Sequence, residues 1–239
     1  MTRFTVFRDT AAAVDATANR FVAAARAAIE ERGVFRVALS GGSTPKLVFP
    51  LLLEPARRDA VDCRAVEFFW GDERAVPPDH PESNFGVAYA MLISQLPNVR
   101  PDRIHRMPAE APDLDAAALS YESELRLAFG ARGEEPPAFD LIWLGMGPDG
   151  HTASLFPGST GLDERRRWVI ANFAPSQNAW RMTLTFPVLN AGRDVIIVAI
   201  GADKADALSE IRAGGSDLPA ARVDGAQVEW ITDVDVEDD

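Results

Sequence analysis

FDLIWLGM, residues 139–146, is apolar at almost every position rather than at every second one. A strand with one wet face alternates, and a strand covered on both faces has no need to. The run therefore predicts a central strand of a sheet with layers above and below it. DVIIVAIG (194–201) repeats the pattern. Working outward, VFRVALS (34–40), VEFFW (66–70), RIHRM (103–107), WVIANF (168–173), RMTLTF (181–186) and QVEWITD (227–233) read as further strands. Between them lie helical patterns. Over 10–32, Val14, Phe21, Val22 and Ile29 recur with Ala18, Ala25 and Ala28 at steps of three and four, and Gly33 follows as a stop. A second helix starts near Thr44, and others cover 83–96, 114–129 and 203–212. This alternation predicts an α/β fold: a largely parallel central sheet with helices on both faces, and a short antiparallel addition over 168–186. The proline-rich pieces at 76–81 and 134–137 are loops of ordinary length and no internal repeat occurs, so 1–239 reads as a single domain. Its acidic tail from about 233, DVDVEDD, reads as a solvated end.

Composition narrows the function classes. Lys and Arg number 24 against 36 Asp and Glu, giving a net charge of -12, with an isoelectric point near 4.7. A nucleic-acid footprint needs an excess of cations on one face, so nucleic acid and anionic membrane are excluded as expected partners. The single cysteine, Cys63, allows no internal disulfide and no cysteine-based zinc site, which fits a reducing cytosol. No run approaches the ~18 apolar residues of a membrane span, and the first residues lack the apolar segment of a secretory leader. The expectation is a cytoplasmic protein that keeps its start.

Four segments carry candidate chemistry. LSGGSTPK (39–46) sets two glycines and two hydroxyls between a strand and a helix. It reads equally as a phosphate cradle of backbone N–H groups and as a tight turn capped by Ser43 or Thr44. The Walker spacing is absent, which removes the main support for an ATPase. FFWGDER (68–74) ends an apolar strand in Asp72, Glu73 and Arg74, at the edge where open α/β sheets bind ligands. A cation that close is expected to depress the carboxylate pKa values, which suits holding a hydroxyl or a cation better than taking protons.

DLIWLGMGPDGHTASLFPG (140–158) empties a buried strand into Gly145, Gly147 and Gly150 and then presents His151. A loop histidine is more often packed than catalytic, but the glycines and the strand end reverse those odds. If a helix turn starts near His151, its dipole favours the neutral imidazole that a general base requires. His80 and His105 lack such surroundings and read as structural. With the three histidines far apart, no metal site is expected beyond an adventitious ion shared by Asp149 and His151. Finally, Arg181 and Lys204 place cations at or near the ends of core segments. With Ser43 and Thr44 they point to a small phosphorylated molecule.

Together LSGGSTPK, FFWGDERAVPPDHPESNFG, DLIWLGMGPDGHTASLFPG and RMTLTFPVLNAGRDVIIVAIGADKA resemble the 6-phosphogluconolactonases, from residue 39 to about 205. The resemblance implies a Rossmann-like sheet, shared with glucosamine-6-phosphate deaminases and ribose-5-phosphate isomerases. It also implies hydrolysis of 6-phospho-D-glucono-1,5-lactone, the second step of the oxidative pentose phosphate pathway, in the cytosol and without an obligatory cofactor. By that resemblance His151 activates water, Arg74 and Asp72 line the sugar, and Gly42, Ser43, Thr44, Arg181 and Lys204 receive the phosphate. Arg74 and the N–H groups around Gly147 are the candidate oxyanion donors.

Two rivals stand beside this reading. A sugar-phosphate isomerase or deaminase must take a proton from carbon, and Arg74 beside the carboxylates counts against it. In the deaminase pattern a glutamate stands five residues after the histidine; here that position is Phe156. A non-catalytic sugar-phosphate sensor would have no use for an intact His151 motif.

Overall fold

In the computed structural model, which describes residues 2–235, the two apolar runs are neighbouring strands at the centre of one sheet. Its members are β1 (Thr2–Val6), β2 (Phe35–Leu39), β3 (Val66–Trp70), β5 (Leu141–Gly145), β8 (Val195–Ala199) and β9 (Val228–Thr232), all parallel, in the order β1-β9-β8-β5-β2-β3. A separate antiparallel sheet joins β4 (Asp72–Arg74), β7 (Ala179–Leu184) and β6 (Val169–Ala174) in that order.

Successive residues of β5 serve opposite layers, which is why the run does not alternate. Leu141 and Trp143 pack under α1 (Thr10–Arg32), α2 (Ser43–Leu52) and α4 (Asn84–Met91). Ile142 and Leu144 face the layer of α5 (Leu114–Phe129), α6 (Phe186–Ala191) and α7 (Ala205–Ala213). A short helix, α3 (Pro55–Arg58), follows α2. Each fully buried aliphatic or aromatic side chain contributes roughly 1.5–3 kcal/mol, so this double coverage concentrates stability around β5 and β8. Phe21 and Phe49 meet the Trp143 ring edge-on at 6.4 and 5.9 Å between centroids, binding α1 and α2 to the central strand.

Helix ends follow the sequence signals. Asp9 caps α1 by accepting from the Ala12 N–H at 2.8 Å, and Gly33 ends it in the left-handed region at φ 73°. RIHRM forms no strand. Its start lies in a 3-10 turn, Pro101–Arg103, and only Ile104 bridges to Phe68 on edge strand β3. The prolines at 101 and 108, which bracket the segment, restrict its backbone, so it covers the edge without extending the sheet.

RMTLTF likewise stops at Leu184, because Phe186 and Pro187 open α6. The helix expected over 83–96 ends at Met91 and continues as a 3-10 turn. Strands β1 and β4 were not expected. The acidic tail lies outside the described residues beyond Asp235. No helix among the described residues is long and apolar enough to cross a membrane.

Candidate active site

The sheet changes direction of growth between β2 and β5: β3 lies on one side of β2, and β5, β8 and β9 follow on the other. Loops leaving the carboxyl ends of such a pair diverge to opposite faces and leave a crevice. Here the crevice is a cavity of about 320 Å³. Its wall includes Gly42, Ser43, Thr44, Asp72, Arg74, His151, Arg181 and Lys204, all eight residues nominated from the sequence.

The β2–α2 loop forms one wall. Gly42, at φ 91°, is the N-cap of α2, and no side chain accepts from the first turn. Neither Ser43 nor Thr44 caps the helix, so the turn is not the self-capped kind. Both begin α2 and line the cavity at its positive end. A Cβ on Gly41 would lie 1.8 Å from Oδ1 of Asn84. Glycine is required there because the loop lies flat on that buried amide.

The β3–β4 segment differs from expectation in one respect. Glu73 does not face Arg74's guanidinium. Its carboxylate accepts from Ser83 Oγ (3.0 Å) and from the backbone N–H groups of Arg74 (2.8 Å), Asn84 (2.7 Å) and Phe85 (2.8 Å). Burial pushes its pKa up, against the pull of those N–H groups, so the expected depression by Arg74 is wrong for Glu73. Glu73 secures the start of α4. Arg74 instead donates to the Glu82 carbonyl at 2.7 Å. Asp72, 8% exposed, accepts from Ser154 Oγ at 2.5 Å and from the Asn84 amide at 3.2 Å.

The loop after β5 presents His151, without the helix turn expected there. Gly150 (φ 72°) and Ala153 (φ 46°) are left-handed, which breaks any helix in formation. Thr152 Oγ1 donates to the Gly145 carbonyl at 2.8 Å, and Gly147 N–H donates to the His151 carbonyl at 2.9 Å, folding the loop on itself. No helix dipole acts on the ring, which is held instead by a carboxylate: Asp149 Oδ1 lies 2.5 Å from His151 Nδ1. An ionised carboxylate can only accept, so Nδ1 carries a proton, and in the neutral ring the lone pair then lies on Nε2. The ring stacks on Phe156 at 4.1 Å between centroids.

Arg181 and Arg74 are cross-strand partners on β7 and β4. Burial, and then Arg74's charge, lower the pKa of Arg181. Lys204 sits in the turn after β8 with Nζ 2.7 Å from Asp203. Among the described residues, no three His, Cys, Asp or Glu side chains gather as a metal-binding group.

Sequence reasoning missed Asn84, Ser154 and Gln177. The serine at 83, an N-cap before an apolar run, was the one available signal for Asn84. Ser154 lay within a quoted motif, but its partner is 82 positions away.

Residues 8–232 match the family model described as glucosamine-6-phosphate isomerases/6-phosphogluconolactonase. The chain is 42% identical over 190 residues to a 6-phosphogluconolactonase of Synechocystis, covering 80% of this chain and 76% of that one. It is 37% identical over 239 residues to the 6-phosphogluconolactonase of Mycobacterium tuberculosis, covering 96% and 95%. Its fold is similar to the crystal structure of 6-phosphogluconolactonase from Thermotoga maritima, with TM-score 0.83, 30% identity, and coverage of 97% and 99%. A monomeric glucosamine-6-phosphate deaminase shares the fold at TM-score 0.78 and 19% identity. The chain belongs to the 6-phosphogluconolactonases, within the glucosamine-6-phosphate isomerase/6-phosphogluconolactonase family.

Proposed function

We propose that this chain hydrolyses 6-phospho-D-glucono-1,5-lactone to 6-phosphogluconate, with His151 as general base. The observation that carries the mechanism is the convergence of the β2, β3 and β5 loops on one cavity whose histidine is backed by Asp149. Nε2 of His151 takes a proton from water as its oxygen attacks the lactone carbonyl. The C1–O5 bond then breaks, and the imidazolium returns the proton to the leaving ring oxygen. Asp149 stabilises the transient imidazolium and fixes the ring.

A positioned base contributes about 10²- to 10⁴-fold, and one donor to the developing oxyanion on the order of 3 kcal/mol. Arg74 and the N–H groups around Gly147 serve as those donors, and Asp72, held by Ser154 and Asn84, accepts from sugar hydroxyls. Gly42, Ser43, Thr44, Arg181 and Lys204 receive the phosphate, at the open end of α2 and beside the Arg181 guanidinium, which has no ion-pair partner among the described residues. No step calls for a cofactor. Cys63, the one thiol, is free and buried, which supports a reducing compartment such as the cytosol.

The test offers freshly made 6-phosphogluconolactone and, separately, glucosamine 6-phosphate, and follows acid and ammonia release. Acid release from the lactone alone is expected. Ammonia release without acid release would overturn the assignment.

A further inference from the structure

Gln177 lies in the turn Pro175–Gln177 at the tip of the β6–β7 hairpin, next to Asn178 in the left-handed region (φ 48°). The tip of the hairpin reaches the cavity, and Gln177 forms part of its wall. Its Oε1 is 2.6 Å from Nη2 of Arg181. A guanidinium carries donors only, so the atom facing it must be the carbonyl oxygen. Arg181 has one further acceptor, the Trp180 carbonyl at 3.0 Å. Arg74, opposite it in the strand pairing, donates to the Glu82 carbonyl. Every one of these acceptors is neutral. Among the described residues neither arginine forms an ion pair, although the protein carries 36 acidic side chains.

The choice of acceptor has a consequence for binding. A carboxylate at the hairpin tip would hold Arg181 equally well, but it would neutralise the guanidinium and repel an anion entering the cavity. A carboxamide fixes the same geometry and leaves the charge for the ligand, and its own N–H donors remain to meet phosphate or hydroxyl oxygens. We infer that Gln177 is a positioning residue that sets specificity, aiming Arg181 into the cavity while preserving its charge for a phosphate dianion. This rests on the lactonase reading for the identity of the substrate. The charge argument applies to any phosphorylated ligand of the cavity.

The experiment compares the parent with Gln177→Glu, Gln177→Ala and Arg181→Ala. The hairpin tip is exposed and Gln177→Glu is isosteric, so folding is not at stake. The first readout is selectivity, the ratio of kcat/KM on 6-phosphogluconolactone to that on unphosphorylated gluconolactone. The second is binding of inorganic phosphate by titration calorimetry, which does not depend on the reaction. Gln177→Glu is expected to lower the selectivity ratio about 10- to 100-fold, mostly through KM, and to weaken phosphate binding in parallel. Gln177→Ala should move both in the same direction by less, about 3- to 10-fold. If Arg181→Ala loses selectivity while Gln177→Glu keeps the parental ratio and phosphate affinity, the inference is wrong and the phosphate assignment stands. If Arg181→Ala changes neither quantity, both fall. If no variant or parent hydrolyses the lactone but phosphate binding still weakens in Gln177→Glu, the charge argument survives and the lactonase reading does not.

Discussion

Gly147→Ala tests whether the position of the His151 ring, and not merely its presence, carries the chemistry. Gly147 lies outside the left-handed region, so its backbone accepts alanine without strain. The new methyl does not fit. Its carbon would lie 2.1 Å from both Nδ1 and Cε1 of His151 and 2.7 Å from Asp149 Oδ1, where ordinary contact begins at 3.4 Å. The imidazole must retreat by roughly an ångström or more and leave Asp149. Misplacing a reacting group by about 1 Å costs on the order of 10²-fold. We therefore expect kcat on 6-phosphogluconolactone to fall about 100-fold, equivalent to about 2.7 kcal/mol.

Phosphate affinity should stay near the parental value, because the α2 terminus and Arg181 lie on other segments. Overpacking costs about 1–3 kcal/mol, which is a loss of several degrees in Tm for a chain of this size, so assays run well below the transition. The decisive comparison is a double-mutant cycle with His151→Ala. If Gly147→Ala acts only through the ring, the double variant is no slower than His151→Ala alone. A Gly147→Ala enzyme within about threefold of the parent, or a further 100-fold loss in the double variant, would refute the reasoning.

Three other outcomes follow from the same structure. Arg181→Ala or Lys204→Ala is expected to lower kcat/KM on the phosphorylated lactone about 10- to 100-fold, through charge-assisted bonds of about 1.5–3 kcal/mol, with little added loss on the unphosphorylated lactone; equal losses on both would move these residues to the reacting carbonyl. Exhaustive chelation should leave turnover intact, because among the described residues the donor set around His151 offers no third ligand; loss of activity with recovery on added zinc would mean that Asp149 and His151 hold a metal. For His105, burial alone would lower the pKa, yet Glu124 at 2.7 Å and Glu67 at 3.5 Å raise it to about 9. The stability it contributes is complete below its unfolded pKa of about 6.5 and is lost as pH rises toward 9. Discounted for the exposure of Glu124, it amounts to about 1–2 kcal/mol, so urea midpoints of parent and His105→Gln should converge above pH 9; a gap that persists there would assign the effect to packing on Phe69.

The parts of the fold that were legible are those in which one physical rule dominates. Burial on both faces removes alternation, so β5 and β8 could be read directly. The period of α1 and its Gly33 stop gave Thr10–Arg32 to the residue. Strand β4 was not legible because DER is three charged letters; it is a strand only because β7 lies beside it. Edge strand β1 has weak patterning, since its burial is only partial. At the site, glycine spacing singled out His151, which lies in the cavity wall, but the same glycines defeated the helix expected to hold it. Left-handed Gly150 and Ala153 turn the chain too sharply, and a hydrogen bond to Asp149 orients the ring instead. Gln177 gave no signal at all: its role depends on where a hairpin bends, which no short window records.

The shared fold leaves open how one scaffold supports both lactone hydrolysis and proton abstraction from a sugar carbon, and the site residues bear on that directly. Abstraction from carbon needs a carboxylate with a free lone pair facing the ligand. Glu73 is spent on Ser83 and three backbone N–H groups, outside the cavity wall. Asp72 does reach the wall, where Ser154 and Asn84 each hold one of its oxygens and fix it as an acceptor for sugar hydroxyls. Where the deaminase pattern has a glutamate five positions after the histidine, this chain has Phe156, stacked on the imidazole. The ring thus gains a hydrophobic neighbour on its face and a carboxylate, Asp149, at Nδ1 only. Nε2 has no hydrogen-bond partner in the protein among the described residues, which supports its proposed role as the base. In the proposed mechanism a water molecule, which delivers both nucleophile and proton at a single point, is the reactant that Nε2 meets.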